Sequence, residues 1–164
     1  MPAAVAGRVR EALEAASDAF EAAGVDTPRL DAEVLLAEAT GLDRAQLAAE
    51  PDASVDSGAA RRFGAMVRRR VRREPVAYIL GRKGFRHLDL WVDSRALIPR
   101  PETELLVEIA VELEPGSVLD VGTGSGAVAL AVADELPEAD VTATDTSVSS
   151  LVIVPLAELG APTP

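Results

Sequence analysis

Apolar residues recur every three or four positions in the first part of the chain. Val5, Val9, Leu13, Ala16 and Phe20 form one stripe and predict an amphipathic helix over 3–23, closed by Gly24. Thr27 and Pro28 read as the cap and first position of a second helix. Leu30, Val34, Leu35 and Ala39 are its apolar face, and Gly41 ends it. Asp43 can cap a short third helix reaching Ala49, and 51–57 is a loop. A fourth helix is expected from about Gly58 to Arg73, with Phe63, Met66, Val67 and Val71 on its apolar side. From Val76 to Val92 the chain reads as extended. There the period drops to two: Leu88, Leu90 and Val92 face one way, and His87, Asp89 and Trp91 the other. Gly81 and Gly84 punctuate this stretch, which reads as a short hairpin between two domains.

Beyond the hairpin, Pro99 and Pro101 stiffen a charged loop, Ile98 to Glu104, and Glu102 or Thr103 can enter the first turn of the next helix. Leu105, Leu106, Ile109, Ala110 and Leu113 are expected on that helix's inner face, and Pro115-Gly116 stops it. Val118 to Val121 then reads as a buried strand. Gly122, Gly124 and Gly126 make a tight turn, Ala127 to Ala133 a helix, and Asp140 to Thr144 a second strand ending at Asp145.

Strand, glycine turn and helix start together form a site for an adenosyl cofactor. Glycines let the backbone approach a ligand, and the helix start offers free N–H groups. Gly122, Gly124 and Ala127 also satisfy the G-x-G-x-x-A spacing of dinucleotide sites, so a nicotinamide-dependent oxidoreductase is one alternative. Asp120 weighs against it: a carboxylate at the end of the strand repels a pyrophosphate and suits the amino and sulfonium charges of S-adenosylmethionine. Asp145, 23 positions after Gly122, stands close to where an acidic residue takes ribose hydroxyls. A turn that merely joins strand to helix is the plainer reading, which the agreement of glycines, Asp120 and Asp145 disfavours.

Charge changes the picture in two places. Residues 1–100 hold all 16 Lys and Arg against 15 Asp and Glu, whereas 101–164 hold 12 acidic residues and no basic one. Direct nucleic-acid binding is therefore not expected of the C-terminal part. Seven arginines crowd the fourth helix: Arg61, Arg62, Arg68, Arg69, Arg70, Arg72 and Arg73. A solvated helix face is the favoured reading, and a docking face for an acidic protein or RNA the sharper one. The chain has no cysteine and a single histidine, His87, so neither a disulfide nor a metal site is expected. No stretch approaches the roughly 18 apolar residues of a membrane span, and a cytoplasmic protein is the default.

Four stretches resemble the HemK/PrmC family of peptide chain release factor glutamine methyltransferases. They are Pro28 to Leu36, Glu74 to Gly81, Leu97 to Glu104, and Val118 to Gly126. The third is the most specific, because many methyltransferases share the glycine motif. The resemblance runs from residue 1 to about 147. It implies an α/β chain: a helical bundle over 1–73 that recognises the release factor, a hairpin linker over 74–100, and the first part of a Rossmann-like methyltransferase domain over 101–164. It implies S-adenosylmethionine as cofactor and the side-chain amide of glutamine in a Gly-Gly-Gln motif as substrate. Asp120, Gly122, Thr123, Gly124, Ser125, Gly126 and Asp145 would contact the cofactor, and Arg100, Pro101, Glu102 and Thr103 would lie near the site.

The chain departs from the family at its catalytic signature, Asn-Pro-Pro-Tyr. It contains no asparagine, so no catalytic residue is assigned. An amide nitrogen is a poor nucleophile, and fixed acceptors for its N–H groups are what orient it. Ser147 to Leu159 aligns only loosely with the helix expected there, and Pro155 would break it. Two strands would leave an unpaired edge and an uncovered apolar face. A truncated member of the family is expected, and a non-catalytic release-factor-binding fragment is the other alternative.

Overall fold

A computed structural model describes residues 7–147, which fall into two compact units meeting between Leu80 and Gly81. The first is helical: α1 (Val9–Ala22), α2 (Pro28–Thr40), α3 (Arg44–Ala49), α4 (Ser57–Val71) and α5 (Val76–Leu80). α2 is central and packs on α1 and α4. Val9, Leu13, Ala16 and Phe20 of the predicted stripe are buried, with Phe20, Leu35 and Leu36 fully excluded from solvent. Each such large side chain contributes about 1.5–3 kcal/mol on burial.

Local chemistry sets the helix ends. Gly41 stops α2 in the left-handed conformation at φ 75°, where a side chain would be strained. Asp43 caps α3 by accepting from the Gln46 N–H, while the Gln46 side chain accepts from the Asp43 N–H. Asp56 accepts from the Gly58 and Ala59 amides at the start of α4, and these two bonds hold its carboxyl below the usual range. Thr27 differs from expectation. Pro28 does open α2, but the Thr27 hydroxyl donates to Asp31 Oδ1 at 2.9 Å and caps no backbone amide. Residues 3–6 of the predicted first helix lie outside the described residues, and within them α1 starts at Val9.

Four arginines of the α4 region bind acceptors on other parts of the helical unit, which neither sequence reading anticipated. Arg62 donates to Ala39 O near the end of α2, at 2.7 and 3.2 Å. Arg69 forks onto Glu74 and also donates to the Tyr78 and Ile79 carbonyls of α5. Arg70 binds Asp31 Oδ2 at 2.7 Å, and Arg73 reaches the carbonyls of Ala23 and Gly24 after α1. Terminal helix carbonyls lack intrahelical donors, and these side chains satisfy them. Arg69 and Arg70 are half-buried, whereas Arg61, Arg62, Arg68, Arg72 and Arg73 are exposed. Val71, expected on the apolar face, is 39% exposed because α4 ends there.

Val76–Leu80 is helical, not extended as the sequence suggested. Ile79 is buried in the helical core and the carbonyls of this short helix are held by Arg69, so α5 closes the first unit. The division accordingly falls after Leu80 rather than after Arg73.

The second unit holds the hairpin β1 (Arg82–Phe85) and β2 (Leu88–Trp91), a 3₁₀ turn (Pro101–Thr103), α6 (Glu104–Leu113), β3 (Ser117–Val121), α7 (Ala127–Glu135) and β4 (Asp140–Thr144). The hairpin pairs Arg82 with Trp91 and Phe85 with Leu88, and its alternation is as predicted: Leu90 and Val92 are buried, Asp89 and Trp91 exposed. β3 and β4 are parallel, with Ser117 opposite Asp140 and Val121 opposite Thr144, and α7 packs on both.

The inner face expected of α6 is corrected. Only Val107 of that helix is fully buried, while Leu105, Leu106, Ile109 and Leu113 are 43–73% exposed. Leu119 and Val121 of β3 are exposed too, at 62% and 75%. Among the described residues the sheet has two strands, so these apolar groups have no second layer to meet. The tail reading from Val148 onward lies outside the described residues. No helix among the described residues is long and apolar enough to cross a membrane.

Candidate functional site

β3 ends at Val121 and α7 begins at Ala127; the intervening turn is built by three glycines at positive φ, 80° at Gly122, 56° at Gly124 and 77° at Gly126. Residues with a Cβ rarely adopt this conformation, so the sequence has little choice at these positions. The turn is anchored to the end of β4: Thr144 O accepts from the Gly122 and Thr123 amides, at 2.8 and 3.0 Å. A Cβ added at Gly122 or Gly124 would meet nothing within 4 Å, so that side of the turn is open. A Cβ at Gly126 would press on Leu130 at 3.2 Å, so this glycine serves close packing against α7.

The two predicted carboxylates converge on this turn. Asp120 Oδ2 accepts from the Thr123 hydroxyl at 2.6 Å. Asp145 Oδ2 accepts from the Gly124 N–H at 2.8 Å, and its Oδ1 from the Ser147 N–H at 2.7 Å. Each carboxylate thus fixes the turn. An oxygen with two lone pairs can still accept from a ligand hydroxyl or ammonium. Open backbone, flanking carboxylates and the free amides of a helix start fit an adenosyl group with a cationic amino-acid end.

The remaining predicted positions are placed less directly. Ser125 is 3% exposed, so its hydroxyl is withdrawn from solvent and its open contribution is backbone. Arg100 precedes the 3₁₀ turn that carries Pro101, Glu102 and Thr103 into α6, with the Thr103 N–H donating to Arg100 O at 3.0 Å. Their tie to the glycine turn runs through α6, which packs on α7. His87 is exposed at the hairpin tip, and no cluster of metal-binding type occurs among the described residues. An apolar cleft of about 300 Å³ in the helical unit is lined by residues such as Ala12, Ala16, Ala60, Phe63 and Val67; without a titratable group it offers shape and no chemistry.

Two residues that matter to the geometry were not singled out. Asp31, 7% exposed, gathers Thr27 and Arg70. Arg86 at the hairpin tip gathers Glu135 and Glu108. The lack of any basic residue after Arg100 was the available signal for the second: α6 and α7 must find their cations elsewhere.

Residues 11–81 match the PrmC N-terminal domain family, and residues 100–157 match the methyltransferase small domain family. The chain is 50% identical over 129 residues to a release factor glutamine methyltransferase of Xylella fastidiosa, covering 76% of this chain and 47% of that protein. It is 48% identical over 131 residues to the protein of that name from Coxiella burnetii, covering 77% and 47%. With that of Rhodopirellula baltica the identity is 42% over 153 residues, covering 88% and 52%. The chain belongs to the release factor glutamine methyltransferase family. It spans about half the length of the curated relatives it matches. The glycine turn lies within the residues that match the methyltransferase small domain family, and the oxidoreductase alternative finds no support among these relatives.

Proposed function

We propose that this chain carries the release-factor-recognition and cofactor-binding portions of an S-adenosylmethionine-dependent glutamine methyltransferase acting in the cytoplasm. The observation that supports this most is the open glycine turn set between Asp120 and Asp145. Gly122, Thr123, Gly124 and Gly126 would follow the cofactor with their backbone, and Ser125 with its backbone alone. Asp145 would accept from the ribose hydroxyls and Asp120 would face the cationic end. Arg100, Pro101, Glu102 and Thr103 would border the site. S-adenosylmethionine supplies an electrophilic methyl group when bound. The helical unit would hold the release factor, as the names of the relatives and the match to the PrmC N-terminal domain suggest.

This chain's residues do the binding and orienting on the cofactor side. The acceptors that would orient a glutamine amide belong to the Asn-Pro-Pro-Tyr motif, which is absent from these 164 residues. Binding without turnover is therefore the expected behaviour of the chain by itself. Thermal unfolding with S-adenosylhomocysteine tests it. A ligand that binds only the folded form raises the midpoint by about 2.7 kcal/mol equivalent at a hundredfold excess over Kd. A raised midpoint, with no response to a nicotinamide dinucleotide and no methyl transfer to a purified release factor, is expected. A response to the dinucleotide alone would sink the reading.

A further inference from the structure

Arg86 sits in the two-residue turn of the hairpin, between Phe85 and Leu88, at φ 51°. Glycine or asparagine is the usual choice there, so the arginine side chain must offset the backbone strain it brings. Its guanidinium is only 18% exposed and makes three charged bonds. Nε and Nη2 form a parallel fork on Glu135 at 2.8 and 2.7 Å, and Nη1 meets Glu108 at 2.9 Å. The Arg86 backbone N–H also donates to Glu104 Oε1 at 3.2 Å. Glu135 is the last residue of α7, while Glu104 and Glu108 lie on α6.

Charge explains why the tie comes from outside these helices. Residues 101–164 contain no Lys or Arg, and neither α6 nor α7 has a basic residue in its last turn. A cation at a helix C-terminus is favourable, and Arg86 brings one to α7. α7 is short, with about 12 Å between its ends at 1.5 Å per residue. Its first residues close the glycine turn, through Gly126 O accepting from the Leu130 N–H. Fixing one end of so short a rod fixes the other.

We propose that Arg86 is a positioning residue for cofactor binding: clamped between Glu135 and Glu108, it sets the helix that presents the glycine turn. The clamp bears on cofactor affinity only if the turn is the cofactor site, so this rests on the function proposed above. The test uses the whole 164-residue chain with Arg86→Gly, which suits the left-handed backbone, and Arg86→Lys, which keeps charge but cannot make the fork. Amide hydrogen exchange in the absence of ligand is one readout. The Gly124, Gly126 and Leu130 amides should exchange about tenfold faster in Arg86→Gly, with the β3 amides and the helical unit unchanged. S-adenosylhomocysteine binding is the other readout, and it should weaken about tenfold, with Arg86→Lys between the two. Unchanged exchange at those amides overturns the inference, as does an equal rise in β3, which would mark general loosening. If the wild-type chain binds and Arg86→Gly binds equally well, the inference falls and the cofactor site stands. If exchange shifts as expected but the wild-type chain does not bind, the clamp holds and the cofactor site falls.

Discussion

The helical unit and the α/β unit are built from similarly apolar sequence but bury it very differently. In the first, Phe20, Leu35, Leu36 and Leu47 are almost wholly excluded from solvent, and its most exposed large apolar residues reach about 40%. In the second, Leu97, Leu113 and Val121 stand 73–75% exposed, with Leu105, Leu106 and Leu119 not far behind. Helices joined by short loops meet their neighbours within a few tens of residues. A parallel sheet must be extended and covered by distant chain, because each new parallel strand needs a crossover of a dozen or more residues. The helical unit closes its core within 80 residues, whereas the β3–α7–β4 unit presents apolar faces that only further layers could cover.

The sharpest way to break this contrast is Phe20→Ala. It should cost the helical unit about 3–5 kcal/mol in denaturant unfolding, since Phe20 is fully buried. Asp31→Ala comes next. It would leave Arg70, whose side chain is 15% exposed, with the Glu74 carbonyl but no carboxylate, and loss of about 3 kcal/mol is expected in the same experiment. Both changes should leave the hairpin signal of Trp91 untouched.

Acid should act on the other unit. The bond from Arg86 holds the Glu135 carboxyl below the usual range; burial opposes this, and the nearby Arg86 and His87 charges add to it. A carboxyl whose folded value is depressed stabilises the fold above its unfolded pKa, about 4.3, and loses that contribution as pH falls through the folded value. Trp91, the single tryptophan, lies in β2 of the hairpin whose turn carries Arg86, so its fluorescence should report a transition below about pH 4 that Arg86→Gly removes. The smallest effect is expected at Leu113→Ser, within about 0.5 kcal/mol, because the side chain is already 73% exposed. A large loss there would mean that α6 has a partner layer after all.

Much of the first unit was legible because its signals are local. Gly41, Pro28 and Asp43 fix helix ends within a turn, and the stripe through Phe20 repeats at the period of one helix. The glycine turn was legible for the same reason: three positive-φ positions in five residues restrict the side chains they can carry. Val76–Leu80 was misread because five residues are too few to show a period, and Arg69 binding its carbonyls was invisible. The inner face of α6 was a sound periodicity without a layer to receive it.

What the sequence determined by itself is the order of the helices other than α5, the hairpin, the glycine turn with Asp120 and Asp145 beside it, and through these the family. Each rests on interactions within a few residues or on steric limits of the backbone. Only the tertiary structure decided which charges are structural. Arg62, Arg70 and Arg73 close the ends and core of the helical bundle, and Arg86 clamps α6 and α7, over separations of 22 to 50 residues. A long flexible side chain reads alike whether it is solvated or clamped, and its partner is chosen by the packing of elements that the local pattern does not encode.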